Sequence, residues 1–428
     1  MILVLAQAFP PDTGGIQTSM GALAAALART GETVLVLADR ARTAAPAAPA
    51  AYAVRRFGGL KPLRRRYKAW VARRLVARGG VTGIVADSWK SLEFLPRPGV
   101  PTLVLAHGTE FPARPRPAKA ARIRRSLAAA TVIAPNSAYT AALVRTALTG
   151  TAPDGTMPTG TALNGTMPTG TAPTGTTPTG TALAGATLAG AVPDETVPAG
   201  ITPTGATPTG AGPSVRVVHP AIVPQPDPTD AARAEAARIV GGDGPVLLTL
   251  CRLEPRKGVD AVIRALPALV ARHPRLVHVV AGDGPDAPRL RALADECGVA
   301  PRLRFVGRVS DDLKAALLAA ADVFAMPARR EGDSVEGFGL AYLEAAWHGT
   351  PSLAGREGGA ADAVRDGETG LLCDGADPAA VGAALARLLD DPALRARLGA
   401  AARGAVREGG GWDAVAGHLL GLLGMTGR

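Results

Sequence analysis

The chain has 428 residues, 47% of them hydrophobic, and a net charge of +11, a length beyond which one core stops growing, so two domains are predicted. Three scattered cysteines, Cys251, Cys297 and Cys373, form no CxxC pair, which excludes a disulfide framework or a cysteine-based zinc site and suits a reducing cytosol. No apolar run reaches the roughly 18 residues of a membrane span, and the opening MILVLAQAFPPD lacks the basic start and length of a signal peptide, so a soluble or peripheral protein is expected.

Charge is uneven along the chain. Residues 1–147 carry 22 Lys and Arg against 6 Asp and Glu, residues 148–213 none against 3, and residues 214–428 carry 25 against 27. One cationic half beside a nearly neutral one is the asymmetry of a domain facing a polyanion, an acidic membrane or nucleic acid.

In chain order, Ile2 to Ala6 predicts a strand, Gln7 to Gly15 a loop with Pro10, Pro11 and the pair Gly14-Gly15, and Ile16 to Arg29 a helix. Free amides at that helix start suit a phosphate or sugar oxygen, although a plain tight connection reads the same way. Thr33 to Ala38 is a second strand, followed by an Ala/Pro loop from Ala41 to Ala51. Ten basic and no acidic residues then lie between Arg55 and Arg78, interleaved with Leu63, Tyr67, Trp70, Val71, Leu75 and Val76 near helical spacing. Such a basic amphipathic helix suits an anionic membrane interface; a surface helix of a basic domain has the same composition. Val81 to Ala86 and Thr102 to Ala106 predict parallel strands, the second ending at His107-Gly108-Thr109-Glu110, where ligands gather beyond strand carboxyl ends. Arg114 to Arg125 adds six basic residues, Thr131 to Ala134 a strand, and Asn136-Ser137 a cap on a helix from Ala138 to Ala147.

From Gly150 to Gly210 glycine recurs about every five residues in units such as TAPDG and TMPTG. This low-complexity insert has too little apolar surface to offset the entropy of ordering, so disorder is predicted. Val215 to Val218 resumes strand character before His219-Pro220 and a proline-marked linker. A second alternating array follows, with strands at Val246–Leu250, Leu276–Ala281, Leu303–Val306, Val323–Met326, Pro351–Leu353 and Gly370–Cys373 and helical stretches such as Val259 to Arg272. Alternation of this kind predicts doubly wound parallel sheets.

Three places in the second array carry chemistry. Arg252 and Lys257, in CRLEPRKGVD, sit between a strand end and a helix, where two cations can converge on a diphosphate. GDGPDA at 282–287 matches a dinucleotide fingerprint, but Pro285 interrupts it and the next strand ends in Gly307-Arg308 instead of an acid. Glu336 and Glu344, in EGDSVEGFGLAYLEAAWHG, lie eight residues apart across a glycine-broken loop and the helix Leu340 to Trp347. The helix start favours an anion and Glu344 could accept from a diol, while two merely solvated glutamates would show the same spacing.

Outside the insert, PPDTGGIQT, AHGTE, RLEPRKGVD, AGDGP, SVEGFGLAYLE and GGAADAVRDGETGLL follow one another in the order of family 4 of the retaining nucleotide-sugar glycosyltransferases, which the chain resembles. The GGIQT and VEGFG forms look nearest to members that mannosylate phosphatidylinositol-type or other lipid and polyol acceptors. The resemblance implies the GT-B architecture: two Rossmann-like doubly wound parallel-sheet domains facing a central cleft. On that basis residues 1–222 form an acceptor-side domain holding the insert at 148–213, 223–244 a linker, 245–411 a nucleotide-sugar donor domain, and 412–428 a C-terminal helix that could pack back on the first domain.

It further implies that Gly14 and Gly15 line the cleft, that Arg252 and Lys257 hold the diphosphate, that Glu336 meets hydroxyls of the transferred sugar, and that the backbone of Gly337, Phe338, Gly339 and Leu340 meets sugar and phosphate. Glu344 would bind the ribose, and His107 would face the sugar from the other domain. The implied partners are a nucleotide-sugar donor, GDP-mannose among the candidates, and a lipid-linked or polyol acceptor, with no obligatory metal, no other cofactor and no nucleic acid; the implied place is the cytoplasm, compatible with the inner face of the plasma membrane through residues 55–78. Ala361-Asp362 stands where relatives usually have Pro-Glu, and His219-Pro220 where many have an Asn-Gly turn. An epimerase of the same architecture and a nucleic-acid-binding protein are the competing readings.

Overall fold

A computed structural model of the chain describes residues 1–41, 50–112, 115–150 and 212–425; most of the predicted insert, Arg114 and most of the Ala41–Ala51 loop lie outside the described residues. Two parallel sheets organise the rest. The first contains β1 (Ile2–Ala6), β2 (Val34–Asp39), β3 (Ala53–Phe57), β4 (Gly83–Ala86), β5 (Thr102–Ala106), β6 (Val132–Pro135) and β7 (Ser214–Val215), in the order β3-β2-β1-β4-β5-β6-β7. The second contains β8 (Val246–Leu250), β9 (Val277–Ala281), β10 (Leu303–Gly307), β11 (Val323–Met326), β12 (Ser352–Gly355) and β13 (Gly370–Cys373), in the order β10-β9-β8-β11-β12-β13. Each order reverses once, between β1 and β4 and between β8 and β11, and such a reversal opens a crevice at the strand carboxyl ends.

Strands such as ILVLA and VFAM are apolar throughout because helices cover both faces of a parallel sheet. On the first sheet these are α1 (Gly15–Arg29), α2 (Lys61–Ala77), α3 (Pro117–Leu127) and α4 (Ala138–Thr149). The second carries α5 (Asp230–Val240), α6 (Val259–Arg272), α7 (Ala287–Glu296), α8 (Asp311–Ala320), α9 (Leu340–Trp347), α10 (Ala360–Ala363), α11 (Pro378–Asp390) and α12 (Pro392–Glu408). The chain then returns. In α13 (Gly411–Leu422), Trp412, Ala416, Leu419 and Leu420 join the core formed by β1 and α1.

Two polar side chains inside the second sheet are hydrogen-bonded to each other. The Thr249 hydroxyl donates to the Ala325 carbonyl and therefore accepts from His278 Nε2 at 2.9 Å. Burial pushes the His278 imidazole down to about 3, so it is a neutral structural group.

The basic segment differs from the expected single helix. Ala53–Phe57 is an edge strand pairing with β2, and the helix begins only at Lys61. β3 carries no two-residue alternation to read, because its first four residues, Arg55 and Arg56 among them, are all exposed. Within α2, Lys68 is buried, donating to the Ala6 carbonyl at 2.7 Å and pairing with Asp39 at 2.9 Å, while Val71 joins the core. Leu60, Leu63, Tyr67 and Trp70 form the opposite stripe, 48–74% exposed, at the 3-4-3 spacing of one helix face.

Candidate functional site

The carboxyl ends of β8 and β11 hold a cluster of opposite charges in the second sheet's crevice. After β8 the chain makes a single tight turn, Pro255–Lys257, that buries Lys257 to 8% exposure. After β11 the loop brings in Glu336. Arg256 Nη1 donates to Glu336 Oε2 at 2.8 Å, and Lys257 Nζ donates to the same oxygen. Burial pushes the Glu336 carboxyl up, but Lys257 and Arg256 outweigh it and hold it below the usual carboxylate range. Cys251 adjoins this cluster, yet burial drives its thiol up to about 12, so it contributes no thiolate.

Gly339, at φ 94°, turns the chain into α9. A side chain there would strike the Tyr342 ring at 2.4 Å. Among the described residues the amides of Leu340 and Ala341 make no backbone hydrogen bond, and such free amides at a helix start suit anionic oxygens. One turn on, Glu344 accepts from Lys314 Nζ at 2.8 Å, and Lys314 also pairs with Asp311 at 3.1 Å. Burial lowers the Lys314 ammonium's pKa, while Glu344 and Asp311 raise it further, for a net rise.

The first sheet contributes from across the crevice. His107 follows β5, its amide donating to Glu110 Oε1 at 2.8 Å, and its Nε2 is buried without a partner among the described residues. Its carbonyl lies against Gly337 so closely that an added Cβ would sit 2.2 Å from that oxygen. A Cβ on Gly15, at the start of α1, would lie 3.3 Å from Leu340 Cδ1. The starts of α1 and α9 therefore touch.

The structure thus gathers Lys257 with Glu336, His107 with Gly337, and Gly15 with Leu340, with Gly14 immediately before α1. Arg252 stands at the rim of this cluster: its side chain is 70% exposed and pairs at 3.2 Å with Glu254, which also pairs with Arg256 at 3.0 Å. The Phe338 ring is buried and packs 5.5 Å from the His219 ring, leaving only its backbone for the crevice. Sequence reasoning missed Arg256 and Lys314. Arg256 lies in the same RLEPRKG string and nothing in spacing separates it from Arg252; the Lys314–Glu344 contact spans 30 residues and leaves no local signal. A cavity of about 810 Å³ lies elsewhere, lined by His219–Pro224, Phe338, Trp347 and Trp412 where the chain crosses between the sheets.

Two family models match the chain: Glycosyltransferase Family 4 over residues 13–151 and Glycosyl transferases group 1 over residues 233–405. A GDP-mannose-dependent alpha-(1-6)-phosphatidylinositol monomannoside mannosyltransferase of Mycobacterium tuberculosis (strain CDC 1551 / Oshkosh) is 43% identical over 202 residues, 46% of this chain and 52% of that one. A D-inositol 3-phosphate glycosyltransferase of Acidothermus cellulolyticus is 41% identical over 206 residues, 46% of this chain and 44% of that one. The chain spans about half the length of these curated relatives. Among solved structures, Anabaena Alr3699/HepE in complex with UDP and glucose superposes with a TM-score of 0.67 at 16% identity, covering 99% of both chains. The sucrose-phosphate synthase of Thermosynechococcus elongatus gives 0.69 at 20% identity, covering 98% of both. With a matching family model on each of its two parallel-sheet lobes, the chain belongs to the glycosyltransferases of family 4 and group 1, built on the GT-B fold.

Proposed function

We propose that the protein is a retaining hexosyltransferase that moves mannose from GDP-mannose to a lipid-linked or polyol acceptor. The observation that carries the reading is the Arg256–Lys257–Glu336 cluster at the crevice of the second lobe, beside the free amides of α9. A donor diphosphate placed there would share Lys257 and Arg256, which offset the negative charge developing on the leaving nucleotide as the sugar bond breaks. Glu336, held ionised, takes hydroxyls of the sugar, Glu344 the ribose diol, and the unpartnered His107 Nε2 a further sugar hydroxyl. Same-face attack by an acceptor hydroxyl in the lobe-to-lobe crevice gives retention.

Titration with GDP- and UDP-sugars, read by thermal shift and slow donor hydrolysis, tests this. Stabilisation by the guanine series, about 2.7 kcal/mol at 100 times Kd, is expected. No response to any nucleotide sugar refutes the donor site, and a response confined to UDP-sugars refutes GDP-mannose.

The first lobe supports an anionic acceptor. The ammonium of Lys90, just after β4, lies 5.8 Å over the Trp89 ring and makes no ion pair or hydrogen bond among the described residues; burial pushes it below the ordinary value, Glu110 opposes this, and Arg65 and Lys119 add to it. A phosphate supplied by the acceptor would relieve that repulsion.

No helix among the described residues is long and apolar enough to cross a membrane. Our reading places the protein on the cytoplasmic face of a membrane through α2, whose stripe of Leu60, Leu63, Tyr67 and Trp70 lies among arginines, with Arg74 stacked 4.8 Å over Trp70. Leu63→Asp/Trp70→Asp is expected to weaken binding to vesicles containing anionic lipid by about 10-fold or more, measured by co-sedimentation. Equal binding of the double variant and the parent removes α2 as the docking face.

A further inference from the structure

Both departures from the family pattern, His219 and Asp362, lie far apart in sequence and meet in space. Asp362, in the short α10 of the second lobe, accepts from His219 Nε2 at 3.1 Å. The same carboxylate oxygen accepts the Ala138 amide at 2.7 Å. Ala138 is the first residue of α4 in the first lobe, and its N–H is one of the amides a helix start leaves without an internal partner. Ser137 caps that helix locally by taking the Thr140 amide. Asp362 therefore completes the cap from the opposite lobe, with a charge that the helix end attracts. His219 stands on the segment that leaves β7 toward the second lobe, and its ring packs 5.5 Å from Phe338. One oxygen so ties three elements together: α4, the crossing segment and α10.

The tie stands beside the lobe contact of the candidate site. Gly359, just before α10, donates to the Glu336 carbonyl at 2.8 Å, and a Cβ on Gly359 would fall 2.7 Å from Ser137 Oγ. Gly337, next to Glu336, lies against the His107 carbonyl and 3.5 Å, measured from an added Cβ, from Asn136 Nδ2. Residues 136–138 of the first lobe are thus pressed on residues 336–337 and 359–362 of the second. Loss of the Asp362 contact would free the lobes to separate where His107 approaches the Glu336 loop.

We infer that Asp362 and His219 are positioning residues that hold the first lobe's His107 at the Glu336 loop in the geometry used for transfer. The inference rests on the hexosyltransferase reading. Lys257, Glu336 and Glu344 belong to the second lobe and only His107 reaches the donor from the first, so loss of the tie acts mainly on turnover and leaves the donor's second-lobe contacts in place.

The test compares Asp362→Ala, His219→Ala, the double variant, and His219→Asn/Asp362→Glu, which keeps a donor and a carboxylate. Asp362→Ala is expected to lower kcat by about 10- to 100-fold, the scale of a misplaced reacting pair, with the KM for the nucleotide sugar nearly unchanged. The double variant should be no worse than Asp362→Ala, because the two side chains share one contact, and the Asn/Glu pair should recover most of the loss. The radius of gyration from small-angle scattering, measured on the same proteins, should rise for Asp362→Ala. Unchanged kcat and radius overturn the inference, as does a loss in which KM and melting temperature change together, or strictly additive single effects. If the parent turns over no nucleotide sugar the functional reading fails, while scattering alone still decides whether the tie holds the lobes.

Discussion

Lys257→Ala is expected to lower kcat for sugar transfer by about 100- to 1,000-fold, the range for removing one preorganised group from a developing negative charge, and Glu336→Gln by about 100-fold, because it replaces the charge-assisted bonds that orient the sugar hydroxyls and Lys257. Lys257 and Glu336 are only 11% and 12% exposed at their side chains and touch directly, so neither is replaced by solvent when removed. Glu336→Ala is the harsher variant. It strands Lys257 and Arg256 as neighbouring buried cations, and breaking a buried pair in this way costs about 3–5 kcal/mol of stability, so the isosteric glutamine keeps catalysis separable from folding. Because the folded Glu336 value lies below its unfolded one of about 4.3, the stability from this pairing is present above that pH and lost as pH falls through the folded value. An activity limb near pH 6 or 7 thus belongs to another group. Rates measured with saturating donor, alongside circular dichroism, provide the check; a Lys257→Ala protein turning over within about twofold of the parent would remove the cluster from the reaction.

Gly337→Ala is the second large effect. The added methyl would meet a backbone carbonyl, His107 O, at 2.2 Å, and backbone on both sides has no rotamer to escape into. The lobes must separate by about an ångström, a displacement that can cost on the order of 100-fold in rate. Binding of the donor to the second lobe should persist. The discriminating pair of measurements is kcat against the nucleotide-induced thermal shift: lost turnover with a retained shift assigns the contact to the reacting geometry, and full turnover shows that transfer proceeds with the lobes further apart.

Some boundaries were legible in the sequence to the residue, whereas Val81–Ala86, Thr131–Ala134, Leu276–Ala281 and Pro351–Leu353 differ by one or two residues from the observed Gly83–Ala86, Val132–Pro135, Val277–Ala281 and Ser352–Gly355. Thr102–Ala106, Val246–Leu250, Val259–Arg272 and Leu340–Trp347 coincide with β5, β8, α6 and α9, because a run of apolar residues closed by Gly, Pro or charge leaves little choice of boundary. The edge strand β3 was not legible, since its arginines face solvent and its partner β2 lies across a loop. In the site, local strings supplied Lys257, Glu336 and Glu344, whereas what they touch came only from folding. Arg256 at the Glu336 carboxylate, Lys314 beside Glu344, and Asp362 on the α4 amide are contacts between segments 30 to 224 residues apart. Charge patterning located the arginine-rich α2 but could not tell that Lys68 turns inward while Trp70 turns outward.

The junction at α4 and β7 bears on how such a chain can lengthen. α4 starts at the crevice with Ala138 and runs back to Gly150 at the amino edge of its sheet, and Ser214 starts β7 at that same edge, paired with Val132. Whatever joins these two points leaves and returns on the side of the lobe away from Lys257, Glu336 and His107. Closing a loop costs only about 0.6 kcal/mol for each doubling of its length. Slippage of a repetitive coding tract could therefore add or remove pentapeptides without a toll on catalysis, and the same point is a natural port for inserting a tag or a reporter domain.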